Sequence, residues 1–535
     1  MATHVDYDAD VIVVGSGMLG SLAATALAVA GKSVIMLEAG PRMQRWQVVE
    51  NFRNTADKTN PNLPYPDLPW AMKSYGGKYS DTYWRNTGPF PFRPGMLKVV
   101  GGTTWHWGAA TWRYLPSDMK LHSTYGVGRD WPISYEDIEP WYQLAEEAMG
   151  VAGNDADDQT GKGGTQAPRR SKPYPMPALG WSDFTRKVAD RLNGAGFHFI
   201  DEPNARNSRP YDGRPACRGN NNCMPVCPIG AMFSGDMQVA KAEAAGVKLI
   251  SEAVVHKLEK GAGGKITAVR YLRPDGSEHR LTAKYVIVAA HAMETPKLLL
   301  MSDVANSSDQ VGRNVMGHTG VSLLFLSKEP LWPGRGPQQQ GGIMDWRDGD
   351  FRRRHSAGKH SLSNAVPNHE VAARLLAQGV IGSALNRRIR EDSARWVSVS
   401  TMLEQLPDPA NRIVLSSSRR DALGLPMPDL YNDPGDYLRA GVAPMRQDYR
   451  RFVELFDGEL IKDDGELENH DHLMGSVIMG ADPRDSVVDG DCRSHDHPNL
   501  FLVTTGVIPA AGVVNPTLTG AALALRVADL LGREA

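Results

Sequence analysis

The stretch Ala9–Gly40 reads ADVIVVGSGMLGSLAATALAVAGKSVIMLEAG. Asp10 to Val14 is a short apolar, β-branched run, Gly15-Ser16-Gly17-Met18-Leu19-Gly20 follows at once, Ser21 to Ala30 is rich in alanine, and Ser33 to Leu37 is apolar again. The pattern predicts strand, tight turn, helix, strand. Gly15 permits the sharp turn, Gly17 lets backbone approach a pyrophosphate, and Gly20 lets helix and strand pack closely. The helix N-terminus then offers unpaired N–H groups to the anion. Glu38 ends the second strand, eighteen residues after Gly20, where a carboxylate binds the two hydroxyls of an adenosine ribose. With strand, helix and acid in place the segment predicts dinucleotide binding within an α/β fold, and it does not separate NAD from FAD.

On the N-terminal side, Met1 to Asp10 carries acids where a secretory signal carries basic residues, so no cleavable signal is expected. No run approaches the roughly 18 apolar residues of a spanning helix. The 535 residues amount to about three domains' worth of chain. Lys plus Arg is 59 and Asp plus Glu is 61, which leaves no charge excess to favour nucleic acid or an anionic membrane.

On the C-terminal side of Gly40, residues to about Pro94 are irregular and predict long surface connections that cover a cofactor or dock a partner. Val99 to Ala110 reads VVGGTTWHWGAA. Gly101, Gly102, Thr103, Thr104, Trp107, Gly108 and Ala109 combine small residues, which let backbone approach a flat ring, with aromatic walls that exclude water. A glycine turn beside buried tryptophans is the alternative. Ser134 is placed to cap a helix running through Met149. Gly153 to Pro175 reads as a linker or mobile excursion and a domain border. From Val247 to Ala290 a β-rich pattern returns, as though the first sheet resumed after an insertion. Residues 320–459 alternate strands and helices and predict a second, substrate-facing domain, with Arg352-Arg353-Arg354 as a solvated loop face. Near the end, His472-Leu473-Met474-Gly475-Ser476 precedes a strand at Asn499 to Val503. Asn515-Pro516-Thr517-Leu518-Thr519 then opens an apolar helix, Gly520 to Leu531, whose N-terminus favours negative charge such as that of a reduced flavin.

Four cysteines do not make a disulfide framework in so long a chain. Cys217, Cys223 and Cys227 crowd into eleven positions of a Gly/Asn/Pro loop, and Cys492 stands apart. Cys-Pro at the end of such a run fits iron–sulfur ligation. Structural zinc is the rival, although no fourth ligand in C-x-x-C or His spacing is evident. Three free thiols are the remaining alternative.

Three blocks in order, VIVVGSGMLG with Glu38, VVGGTTWHWGAA, and the C-terminal His and Asn around NPTLT, resemble the glucose–methanol–choline (GMC) oxidoreductases. NSRPYDGRPACRGNNNCMPVCPIGAM, STYGVGRDWP and MGADPRDSVVD resemble more narrowly the flavoprotein subunits of bacterial sugar and sugar-acid dehydrogenases acting on gluconate, fructose or glucose. The resemblance implies a Rossmann-like FAD-binding domain in three parts (1–160, 246–319, 465–535). It also implies an iron–sulfur insertion (161–245) and a substrate-binding domain on a β-sheet (320–464). Val255, Ala290, Gly506 and Thr517 join the implied FAD contacts, and His472 becomes the base with Asn515 beside it. Cys217, Cys223 and Cys227 become ligands of an iron–sulfur cluster, 3Fe-4S rather than 4Fe-4S as the group implies; Arg218 departs from the group, which commonly has a further cysteine there, and the three that remain are enough for it. The implied activity is oxidation of a sugar or sugar-acid alcohol, with electrons leaving to a cytochrome c subunit. A small subunit bearing a twin-arginine signal would carry the chain to the periplasmic side of the inner membrane. A nicotinamide-dependent dehydrogenase with structural zinc and a non-catalytic electron-transfer subunit are the competing classes.

Overall fold

The computed structural model describes residues 7–56, 58, 62–74, 83–92, 95–164 and 166–534. Parts of the irregular 41–94 segment (57, 59–61, 75–82, 93–94) and residues 1–6 therefore lie outside the described residues.

The fold is mixed α/β. Its first layer is a parallel sheet in the order Leu500–Leu502, Ala283–Val288, Ala9–Val14, Val34–Leu37, Lys248–Ile250. Val11, Ile12, Val13 and Val14 are all buried, as expected of a strand covered on both faces. Helix Met18–Val29 lies against it and packs on the C-terminal helix Thr517–Arg533, which starts three residues earlier than the apolar run implied. The β-rich return divides between two sheets. Lys248–Ile250 and Ala283–Val288 join the parallel layer, whereas Val254–Lys260, Ile266–Leu272 and Glu278–Leu281 form a separate antiparallel meander.

The second layer is a seven-stranded antiparallel sheet. Glu459–Lys462, Met316–Leu326, Trp396–Leu403, Gly358–Ser363, Gln339–Ile343 and Phe199–Asp201 run in that order, and Glu468–Met474 pairs with the start of Met316–Leu326. Side chains alternate between its faces, as a strand requires. Val321, Leu323, Phe325, Val397 and Val399 pack against helices Asp183–Gly194 and Val442–Leu455. The opposite face carries Lys359, Ser361, Ser400 and Met402, which sit in register as Lys359 opposite Met402 and Ser361 opposite Ser400. Among the described residues no helix is long and apolar enough to cross a membrane.

The helix expected after Ser134 spans Tyr135–Met149, with Ser134 Oγ accepting from the Asp137 N–H. Two other expectations are corrected. The described part of Gly153 to Pro175 is not a free excursion, because Arg170 pairs with Glu146 of that helix and Arg113, itself paired with Glu146, donates to the Arg169 carbonyl at 3.1 Å. Tyr174 is buried there beneath Arg170 and is hydrogen-bonded by Gln159 at 2.9 Å. Nor is Arg352 solvated with its neighbours Arg353 and Arg354. The tight turn Asp350–Arg353 aims it inward, where it meets Asp118 at 2.9 Å, Asp348 at 3.0 Å and Glu404 at 2.6 Å. Removing that guanidinium strands three buried carboxylates, so R352M is expected to destabilise the protein by about 3–5 kcal/mol in equilibrium denaturation.

Candidate active site

The carboxyl ends of the parallel strands and the inner face of the antiparallel sheet enclose a cleft of about 420 Å³. Its nucleotide end is built by the first turn. Gly15 has a φ of +100°, and a Cβ there would stand 2.5 Å from the Ala289 carbonyl oxygen. A Cβ on Gly20 would fall 2.1 Å from the Gly15 carbonyl oxygen, so that position is closed by backbone packing. Gly17 is different, with nothing within 4 Å of its Cβ position, and it lines the cleft. The Glu38 carboxylate accepts from the Ser16 N–H at 3.0 Å, the Ser16 hydroxyl at 2.7 Å and the Gly40 N–H at 3.0 Å. Burial pushes its pKa up, against those hydrogen bonds.

Every expected FAD contact lines this cleft except Gly20, Gly101 and Gly506, which stand behind its wall. Gly101 bridges to Gly17 and backs onto Asp236, where a Cβ would lie 2.4 Å from the backbone nitrogen. Thr104 Oγ1 accepts from the Gly235 N–H at 2.8 Å and Trp107 Nε1 donates to the Phe233 carbonyl at 2.7 Å. These bonds fasten the Gly101–Ala110 segment to the chain that follows the cysteines. The amino end of helix Thr517–Arg533 reaches the cleft through Pro516 and Thr517. Open backbone at Gly17, a buried carboxylate at Glu38, small residues at Gly108 and Ala109 and a helix N-terminus together fit FAD.

At the other end His472 and Asn515 come together from segments far apart in the chain. His472 Nε2 lies 3.2 Å from Asn515 Nδ2, and His472 Nδ1 lies 2.8 Å from His318 Nδ1. His318 Nε2 in turn lies 3.1 Å from the Gly512 carbonyl oxygen. A carbonyl only accepts, so His318 carries its proton on Nε2 and accepts at Nδ1. His472 must then donate from Nδ1, which leaves the lone pair of its Nε2 facing the cleft. Burial pushes the His472 pKa well below the usual imidazole value, and His318, Lys359 and His470 push the same way. His318 and His470, held down chiefly by burial, fall to about 3 and about 4. All three rings are neutral at pH 7.

Sequence reasoning missed His318, Lys359, Glu202 and His470. Their strands are legible as alternating runs, but which face meets the cofactor is set by the packing of two sheets. His470 and His472 show the one local clue, a spacing of two that places both on one side of Glu468–Met474.

Cys217, Cys223 and Cys227 lie outside the cleft, though Met224 of the same loop lines it. The loop is pinned by Tyr65, which donates to the Pro225 carbonyl at 2.7 Å, and by Arg45, which donates to the Cys227 carbonyl at 3.1 Å. Gly219 N–H points at Cys217 Sγ from 3.4 Å. Burial raises the Cys217 pKa, and the charges of Cys223 and Cys227 add to it. Among the described residues no three His, Cys, Asp or Glu side chains gather closely enough to hold a metal ion. Cys492 is buried, within the core beneath the parallel sheet.

A two-layer α/β fold with a glycine cradle for FAD and an imidazole at the far end of its cleft defines a flavin-dependent oxidoreductase. The chain belongs to the GMC oxidoreductases, whose family profiles match residues 204–320 and 407–524. It is 44% identical to the fructose dehydrogenase large subunit of Gluconobacter japonicus, over 98% of this chain and 97% of that protein. It is 28% identical to a 2-methyl-1,2-propanediol dehydrogenase of Mycolicibacterium austroafricanum, over 100% of this chain and 97% of that one. Among solved structures, the fold matches a pyridoxine 4-oxidase of Mesorbium loti at a TM-score of 0.65 and 15% identity, covering 98% of this chain and 99% of that one. The protein is an FAD-dependent dehydrogenase acting on CH–OH groups, and the nicotinamide-dependent reading falls away.

Gly17 and Gly20 separate grip from packing. G17A is expected to fold with an unchanged melting temperature as apoprotein but to retain little FAD, whereas G20A should lose stability itself, by about 1–3 kcal/mol. Flavin absorbance and thermal unfolding of the two purified variants distinguish them.

Proposed function

We propose that this chain is the flavin-bearing subunit of a dehydrogenase that oxidises an alcohol carbon of a neutral sugar. The observation that carries the reading is the His472–Asn515 pair, 3.2 Å apart at the cleft end lined by the hydrophilic face of the antiparallel sheet. The substrate hydroxyl donates to His472 Nε2 in place of the Asn515 amide. That amide then donates to the substrate oxygen and holds the reacting carbon in place. Oxidation moves the O–H proton to His472 Nε2 and leaves a carbonyl as the C–H hydride departs with its electron pair. Bound FAD supplies the two-electron acceptor. His318 keeps the proton-accepting nitrogen turned toward the substrate.

A neutral sugar is favoured over a sugar acid by the charges of the cleft. Among the described residues its lysines are all paired with carboxylates: Lys98 with Glu294 at 3.4 Å, Lys297 with Asp421 at 3.7 Å, and Lys359 with Glu202 at 3.9 Å. Among the described residues a substrate carboxylate would meet no uncompensated cation there, and burying it unpaired is costly. The name of the Gluconobacter relative, a fructose dehydrogenase, points to the same substrate class.

Cys217, Cys223 and Cys227 are proposed to hold an iron–sulfur cluster, of three irons rather than four. Such a cluster supplies a one-electron relay. Its support is the cysteine spacing, the Gly219 N–H aimed at Cys217, and the contact of Met224 with the flavin cleft. The sulfurs do not form one coordinating set in the structure, so ligation requires the loop to adjust. Partner subunits belong to the proposal as well, a cytochrome c subunit and a small subunit with a twin-arginine signal on the periplasmic side of the inner membrane. The relative named as a large subunit supports companions of some kind.

H472A, loaded with FAD, is expected to lower turnover about 100-fold or more. Because the His472 pKa is depressed, the neutral base persists as pH falls, and the acid limb of kcat/KM in the wild type is expected below 6.5. Iron analysis tests the cluster. Serine at Cys217, Cys223 or Cys227 should lower the iron content and serine at Cys492 should not, whereas equal iron in all four variants, or stoichiometric zinc in the wild type, contradicts the assignment.

A further inference from the structure

The hydrogen-bonded line through the base does not stop at Asn515. Lys359 Nζ donates to Asn515 Oδ1 at 3.0 Å, from a side chain that is 1% exposed. The Glu202 carboxylate stands 3.9 Å from the ammonium, past hydrogen-bond length. Trp112 lies beneath the ammonium, with its ring centroid 5.3 Å away. A buried lysine is expensive to hold, and this one directs its short contact to the amide rather than to its counter-ion.

We propose that Lys359 is a positioning residue that acts through Asn515, holding the amide with Nδ2 toward the reacting oxygen and setting a positive charge behind that donor. The inference rests on the reading of His472 as the base. An ammonium has donors and no acceptor, so the amide nitrogen cannot face it. Oδ1 is therefore held on the lysine side and Nδ2 on the side of His472 Nε2. As the hydroxyl proton passes to His472, the substrate oxygen gains negative charge. An N–H already polarised by a cation, fixed before the reaction and shielded from water, stabilises that charge more than a freely rotating amide does. Lys359 itself moves no proton.

The charge has a pH window. Facing Lys359 are Glu202 and Arg347, the rings of His318, His470 and His472, and the neutral Asn515 and Trp112. Burial lowers the lysine pKa to about 8, Glu202 opposes that shift, and Arg347 adds to it. The ammonium is present below that pH and lost above it, so the assistance it gives should fade in the same range.

The test compares wild type, K359M, K359Q and H472A, each with its flavin content measured from the visible absorbance. K359M is expected to lower kcat by about 10- to 100-fold with a smaller change in KM. Its kcat should show no basic limb near pH 8. K359Q can still donate to Asn515 Oδ1 but carries no charge, so its kcat should fall between the two and lack the same limb, and it carries the test if K359M does not fold. A wild-type kcat in either variant, or a basic limb unchanged from the wild type, overturns the role of Lys359. H472A turning over at the wild-type rate would instead overturn the base. An impaired H472A beside a fully active K359M leaves the base standing and removes only the lysine.

Discussion

A strand at the centre of a parallel sheet has to be hydrogen-bonded along both edges, and parallel neighbours are reached only through long crossovers. Ala9–Val14 finds one neighbour, Val34–Leu37, after a single helix. Its other edge is filled by Ala283–Val288, and Leu500–Leu502 extends the sheet from there. Everything between those segments must leave the sheet and return to it. The returns bring Ala290, Thr504 and Thr517 to the carboxyl end already occupied by Gly15 and Glu38, which is where a doubly wound sheet holds its ligand.

The second layer supplies what the first lacks. Its outer face is apolar and buried under two helices, and its inner face brings Lys359, Ser361, Ser400, His470 and His472 to the cleft. Period-two alternation makes this division possible: His360, next to Lys359, points the other way and bonds Thr401 at 2.6 Å. Held in the cleft with their pKa values lowered, the three histidines stay neutral while each described lysine of the cleft keeps a carboxylate near it. The low dielectric that makes unpaired charge costly also strengthens the hydrogen bonds from the Gly512 carbonyl through His318 and His472 to Asn515.

The glycine turn was legible because its demands are local. Gly20 meets the Gly15 carbonyl within the same strand–turn–helix unit, so that spacing reveals their packing, whereas the Ala289 carbonyl that closes Gly15 comes from just beyond a strand far along the chain. The capped helix after Ser134 was legible for the same reason, since Ser134 bonds a residue three positions on. Arg352 was not. Three consecutive arginines read as a solvated face, but the carboxylates that bury the first of them, at Asp118, Asp348 and Glu404, belong to segments whose meeting no local pattern announces. The described part of Gly153 to Pro175 misled similarly, because its Gly, Asp and Pro content speaks of turns and is silent about the Arg170 and Tyr174 contacts that fasten it.

By itself, then, the amino-acid sequence determined the nucleotide-binding unit, the α/β class, the crowding of three cysteines in one loop, and, through resemblance, His472 and Asn515. These depend on spacing along the chain, which short-range sterics and hydrogen bonding translate directly into structure. The tertiary structure alone decided which nitrogen of His472 faces the cleft, which end of the Asn515 amide faces it, and that Lys359 stands behind both. Each of those depends on a partner brought in from another strand, His318 from one, Lys359 from another and Gly512 from the loop before the last helix. A proton's position is set by the acceptor it finds across space, and that acceptor exists only once the two sheets have closed on each other.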